Sequence, residues 1–312
     1  ANPPLTIGWA EVEITPEQLP VLISGQFPAR LSEGVADPLI ATVLALGQGG
    51  EEVVFVTVDV VTIPDSLRDR VRQIVAERLP GFDPKSILIN ATHTHTGPEV
   101  RDASDANPQT GATTAAGRNG VELGETPVAI YHEFLSQRLA TAIVQAREAR
   151  GSGSIAYGLD YTAVARNRRW VDETGTSTMY GLRADKVARF RHIEGYEDHA
   201  LNLLATYDPE GRLTGLVVNI ASPSQETEHE MLLSADFWHE TRLELRRRFG
   251  KDLFILPQCS AAGDLTSHLL LDKQANARMQ ELRNRSFREE IALRIAETVE
   301  RILPVITPTR ES

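Results

Sequence analysis

The sequence predicts an α/β fold with a mixed, largely parallel β-sheet core flanked by helices. Three observations carry the prediction. Residues 41–46 and 53–61 are rich in Val, Leu and Ile without clean alternation, the pattern of strands covered on both faces. A helical stripe (Leu67, Val71, Ile74, Val75, Leu79) follows the second run. A further apolar run at 86–91 follows the stripe. Strand, helix and strand in that order form a βαβ unit, which makes the two strands parallel. Long helical patterns over 127–150 and 275–303 supply flanking layers.

In chain order, residues 5–14 read as a strand stopped by Thr15-Pro16. Residues 16–38 read as a loop with Gly25, Pro28, Gly34 and Pro38, long enough to be functional. It carries Arg30 and Asp37, either as solvated charges or at the mouth of a site. Residues 47–50 turn the chain between the two buried runs. Asp59 lies inside the second run, where a carboxylate is unfavourable unless paired or bound to a cation; it faces a site or caps a strand end. Ser66 is the N-cap expected for the 66–79 helix, and Pro80-Gly81 ends that helix.

Residues 101–125 are polar and glycine-rich and read as a lid or substrate-binding loop. The 127–150 helix carries His132 on its face. A strand over 155–164 leads into Arg166-Asn167-Arg168-Arg169, whose guanidinium groups can read a carboxylate, phosphate or sugar or form a solvated charge run. Residues 188–192 form a short strand. Residues 201–207 and 213–220 form a hairpin around Asp208-Pro209-Glu210-Gly211, with His199 just before it. A polar loop carrying His229 follows. Ser234 or Asp236 caps a helix over 236–250 that has His239 in its first turns, with Gly250 as the stop. A buried strand at 253–256 runs into the small-residue loop from Gln258 to His268, where backbone N–H groups can approach an oxyanion. Asp264 in that loop is a ligand or an orienting group. No repeat or linker divides residues 1–312, which read as one catalytic-type domain.

Composition narrows the function. The formal net charge is −11, the wrong sign for a general nucleic-acid binder. Cys259 is the single cysteine, so there is no internal disulfide and no thiolate metal cluster. No apolar run reaches the roughly 18 residues of a membrane span. The opening Ala1-Asn2-Pro3-Pro4 lacks Met and reads as a mature terminus left after export to the periplasm or beyond, or as a cut edge. The sequence leaves the oligomeric state open.

The chemistry concentrates in Ala91-Thr92-His93-Thr94-His95-Thr96-Gly97-Pro98. Alternate side chains of an extended backbone share a face, which sets His93 and His95 roughly 6–7 Å apart at Cβ. Two imidazoles so placed can close on one cation such as zinc; the alternative is two strand-end histidines in a polar turn. Gly97-Pro98 then breaks the strand.

Several segments, in order, resemble the N-terminal domain of the neutral, non-lysosomal ceramidase family. They are the opening strand ending in Ile14-Thr15-Pro16, then Asp37-Pro38 and the strand pair with Asp59, then the Thr-His-Thr-His-Thr-Gly-Pro segment. Asn167-Arg168 and Ala262-Gly263-Asp264 complete the set. The resemblance implies a hydrolase that cleaves a linear amide, or a related ester or glycan-derived bond, with zinc-activated water. Its substrate is then a small molecule, lipid-derived or glycan-derived. It implies His93 and His95 as metal ligands or metal-proximal groups; His199, His229 or His239 are nearby candidates for a further ligand, and spacing alone does not choose among them. It also implies Asp264, Thr266 and His95 in catalysis, and Arg168, Asn167 and Arg30 in substrate binding. The family's further histidine ligand follows a strand like 217–220, where this chain has Ala221-Ser222-Pro223-Ser224. The family's serine after Gly-Asp is replaced here by Thr266 in Gly263-Asp264-Leu265-Thr266. The alternative expectation is a ligand-binding relative that kept the fold and lost part of the metal site. A barrel metallohydrolase and a metallo-β-lactamase fit less well, the latter because Thr96-Gly97 replaces the required Asp-His.

Overall fold

The computed structural model describes residues 3–26, 28–101, 105, 123–179, 182, 185–271 and 273–312. Of the 101–125 loop, only Arg101, Asp105 and residues 123–125 are among them, so the lid reading lies outside the described residues. Two main sheets stack face to face with helices on their outer faces. The first has the strand order Ile87–Ala91, Glu51–Val58, Ile40–Gln48, Thr6–Glu13 and Gly151–Ser152. The second has the order Phe254–Cys259, Leu213–Ile220, Ala200–Tyr207 and Ser154–Tyr161.

Helices α1 (Asp65–Arg78) and α2 (Val128–Glu148) cover the first sheet. There Leu67, Val71, Leu135, Leu139 and Ile143 pack on Val43, Val54, Val56 and Ile87. Helices α3 (Phe237–Phe249) and α5 (Phe287–Ile306) cover the second through Trp238, Leu245, Ile295 and Val299 against Leu203, Leu216 and Ile255. The inner faces meet through Ile7, Trp9, Leu44 and Leu256, with Phe55, Leu204 and Phe254 at the margin. Trp9 Nε1 donates to Thr206 Oγ1 across this seam at 3.0 Å. Helix α4 (Lys273–Arg283) lies outside these layers, and none of its side chains is buried.

The α/β class is therefore as expected, but a largely parallel core is not. The Glu51–Val58 and Ile87–Ala91 strands are parallel, as the βαβ unit requires, and so are Leu213–Ile220 and Phe254–Cys259. Every other pairing within the two main sheets is antiparallel. Runs without alternation signal burial on both faces, which parallel sheets usually have. Here antiparallel strands have it too, because each sheet is covered by helices on one side and by the other sheet on the other.

Three local expectations also change. α1 is not capped by Ser66; it starts at Asp65 after Pro64, and the Ser66 N–H donates to Asp105 Oδ1 at 3.3 Å. The 275–303 helix is two helices. Asn284 breaks it with φ 49°, and Ser286 starts α5 with a reciprocal capping box to Glu289. Asp59 faces no site. It is fully buried, accepts from the Ile40 N–H at 2.9 Å, and takes two hydrogen bonds from the Arg242 guanidinium at 2.7 and 3.0 Å. No described helix is long and apolar enough to cross a membrane.

Candidate active site

The two parallel strand pairs end at the same place, and their following loops interlock there. A site outside the carboxyl ends of parallel strands is the general rule for open α/β sheets. The loop after Ala91 pairs with the loop after Ile220. Thr94 bridges to Ser224, His95 N–H donates to Ser224 O at 3.1 Å, and Ser224 Oγ donates to Thr92 O at 2.8 Å. Thr92, Thr94 and Thr96 are fully buried. Thr94 Oγ1 donates to Ser234 O at 2.8 Å, and Thr96 Oγ1 bonds Thr227 Oγ1 at 2.7 Å. The threonines thus tie the loops together and leave the intervening histidines to the site.

The strand itself stops at Ala91, and His93 adopts φ 61°. A turn, not extended alternation, brings the rings together, with centroids 4.9 Å apart and edge to face. A non-glycine residue in that region stores strain, which clusters at functional sites. Gly25, at φ 103°, packs under His95; a Cβ there would lie 2.7 Å from His95 Cγ.

Proton positions follow from the partners. His93 Nδ1 lies 2.7 Å from Val61 O, so Nδ1 carries the proton and Nε2 keeps its lone pair. Burial, with a smaller contribution from Arg168, lowers the His93 pKa. Gln225 Nε2 lies 3.3 Å from His95 Nε2. An amide nitrogen only donates, so His95 accepts there and turns Nδ1–H toward Glu228 Oε2, 3.6 Å away. Burial, reinforced by His93, pushes the His95 pKa down to about 4. Both imidazoles are neutral at pH 7.

Glu228 was not anticipated, nor was His268 as a site residue. Glu228 is buried between histidines: its Oε1 lies 3.2 Å from His268 Nε2 and 3.6 Å from His229 Nε2. Burial opposes its charge, but the hydrogen bond and charge of His268, then His95, hold its pKa below the usual carboxylate range. Burial likewise opposes protonation of His268, yet Glu228 and Glu226 outweigh it and raise the His268 pKa. Glu228, His268 and Thr266 line a cavity of about 420 Å³. The available signal was the alternation of Glu226, Glu228 and Glu230 around His229, in the loop that follows the buried strand ending at Ile220.

The other expected residues divide. Arg168 stands near the site, its charge acting on both His93 and His95, and it donates to Gly263 O at 3.1 and 2.7 Å. Thr266 lines the cavity, its Oγ1 accepting from the His268 N–H at 3.3 Å. Asp264 is exposed and accepts from Asn167 Nδ2 at 3.0 Å. Asn167 is buried, so this bond braces the loop. Arg30 is also buried and donates to the carbonyls of Ser24, His95, Glu228 and Glu230. It clamps the loops that carry His95 and Glu228, and does not reach outward as a substrate-binding group would.

Catalytic zinc takes three protein ligands. His93 and His95 offer two neutral imidazoles, but His95 Nε2 already accepts from Gln225. His199 pairs with Glu197 at 3.1 Å and with Arg166, and His239 lies in the first turn of α3. Ser222 and Ser224 occupy the loop where the further histidine was sought. Among the described residues no group of three or more His, Cys, Asp or Glu side chains could hold a metal ion. The described donor set does not complete a zinc site.

No protein-family model matches the chain, and no curated protein does. Solved structures do. The fold is an α/β assembly shared with the neutral ceramidase of Pseudomonas aeruginosa, with a TM-score of 0.73 at 19% identity. That match covers 96% of this chain and 45% of the other. A ceramidase complexed with C2 matches with a TM-score of 0.69 at 17% identity, over 96% of this chain and 44% of that one. The chain spans a little under half the length of these structures and has the fold of that part of them.

Proposed function

We propose that this chain is a hydrolase of ceramidase-like fold. It would cleave an amide, or a related ester or glycan-derived bond, at the face formed by His93, His95, Glu228 and His268. One observation carries the reading: the buried Glu228 carboxylate stands between two imidazoles, 3.6 Å from His95 Nδ1 and 3.2 Å from His268 Nε2, an arrangement that sets the two rings apart for acid and base roles. The unprotonated Nε2 of His93 takes a proton from the attacking water as its oxygen adds to the carbonyl carbon. His268, whose protonated form the Glu228 carboxylate favours, gives a proton to the leaving group as the bond to carbon breaks. His95 orients Glu228, and Arg168 steadies the negative charge that develops on the carbonyl oxygen. Thr266 contacts the substrate, and Asp264 holds Asn167 beside Arg168.

A zinc-dependent form of this reading uses His93 and His95 as donors and needs a third that the described residues do not supply. No step above runs through a metal. The incomplete set favours a second reading, a ligand-binding relative without turnover. Metal analysis by mass spectrometry on chelator-free protein, beside a panel of small and lipid-derived amides and esters, separates the readings. Turnover without stoichiometric metal supports the proposal, and one zinc per chain lost in His93→Ala restores the zinc-dependent form. Neither metal nor turnover leaves the binding protein.

A further inference from the structure

The second sheet ends in an open strand. Ser154–Tyr161 is the last of its four strands and pairs along its whole length with Ala200–Tyr207. Its alternate residues divide between two faces. Ala156, Gly158 and Asp160 turn to α5: a Cβ on Gly158 would lie 2.6 Å from Ile306 Cγ2, and Asp160 pairs with Arg301 at 2.9 Å. On the other face Ile155 packs in the seam between the sheets. Tyr157, Leu159 and Tyr161 follow it on that face and are 61%, 49% and 65% exposed.

The same alternation sets the backbone. Ile155 exchanges two hydrogen bonds with Glu311, at 2.8 and 2.9 Å, on the side away from Ala200–Tyr207. The N–H and C=O groups of Tyr157, Leu159 and Tyr161 point to that side too. Glu311 thus shows that this edge takes an antiparallel partner. Edge strands are usually blunted by charge, proline or a bulge. This strand has no proline and keeps an unbroken register with its neighbour, and Arg301 neutralises its one charged side chain, Asp160.

A strand completes an edge of this kind, and three features select a second copy of the same one. Tyr157, Leu159 and Tyr161 stand at alternate positions in an order that reads the same in both directions. A two-fold axis at Leu159 therefore sets each Tyr157 beside the partner's Tyr161 as a cross-strand aromatic pair. The chain has a formal net charge of −11, and two like-charged copies meet with least repulsion at an edge without net charge. After Tyr161 the chain turns, the Val164 N–H donating to Thr162 O at 3.1 Å, which takes the partner's chain clear of Glu311. The Tyr161 N–H bonds Asp160 Oδ1 at 2.8 Å, a local bond that an incoming carbonyl replaces. The Tyr161 carbonyl, which Arg301 reaches at 3.3 Å, keeps a second lone pair.

We propose that the chain forms a two-fold dimer through this edge, joining the second sheets of two copies into one continuous sheet. The contact uses no residue of the histidine site and stands whether or not the chain is a hydrolase.

The test is sedimentation velocity of the whole chain over roughly 1–200 µM, because a single strand edge is a small interface, on wild type, Leu159→Lys, Leu159→Cys and Tyr157→Cys. Wild type should pass from 34.3 kDa toward twice that mass as concentration rises. Leu159→Lys, which opposes two ammonium groups on the axis, should weaken association at least tenfold. After mild oxidation Leu159→Cys should give a disulfide-linked dimer, because the axis sets residue 159 opposite itself. Tyr157→Cys, and wild type with Cys259 alone, should not. If Leu159→Lys fails to fold, the contrast between the two cysteine variants decides. A wild type that stays at 34.3 kDa throughout, association unchanged in folded Leu159→Lys, or cross-linking in Tyr157→Cys equal to that in Leu159→Cys would each overturn the assignment.

Discussion

At the scale of single residues, the site depends on a few side chains that hold others in place. Gly25 has φ 103° and no room for a Cβ beneath His95. Gly25→Ala should therefore lower stability by about 1–2 kcal/mol and reduce turnover by displacing His95, as urea melts and kinetics would record. Glu228 is the electrostatic hub. Removing its charge with Glu228→Gln should move the His268 titration to lower pH, followed by the ring proton shift in NMR; an unmoved titration would show that Glu228 does not hold the proton. The sign extends to stability. A histidine with a raised folded pKa contributes fully below its ordinary value of about 6.5, and that contribution is lost as pH rises through the raised value. His93 and His95 were legible because two histidines among threonines after an apolar run form a compact local pattern. Glu228 and His268 were not, because they meet from loops 40 residues apart in sequence, and the alternation of glutamates around Glu228 does not show which residue of the other loop it will meet.

At the scale of elements, the same division holds. The βαβ unit, the hairpin and α2 follow from apolar spacing and turn residues, and they appear within a few residues of their expected bounds. The helix break at Asn284 was missed because apolar spacing resumes on its far side. Asp59 was ambiguous because its partner, Arg242, lies 183 residues away on α3. That pair fixes the middle of α3 against the end of the Glu51–Val58 strand. Asp59→Asn leaves a buried guanidinium without its counter-charge and should destabilise by about 3–5 kcal/mol. A loss below about 1 kcal/mol in urea melts would contradict this role.

At the scale of the molecule, two sheets buried on both faces bring four strand ends to one place, and loops from both sheets build the site there. The class of the fold was readable from burial patterns; strand direction was not, because parallel and antiparallel strands buried on both faces look alike in sequence. The central claim is that the histidines and Glu228 form a hydrolytic centre. It is tested most directly by single-turnover hydrolysis of an amide or ester panel by wild type, His93→Ala and Glu228→Gln, with each variant shown to be folded. The account predicts turnover by wild type and a loss of about 10²–10⁴-fold in each variant, the range for removing general acid–base catalysis. Turnover that survives undiminished in folded His93→Ala and Glu228→Gln would contradict it.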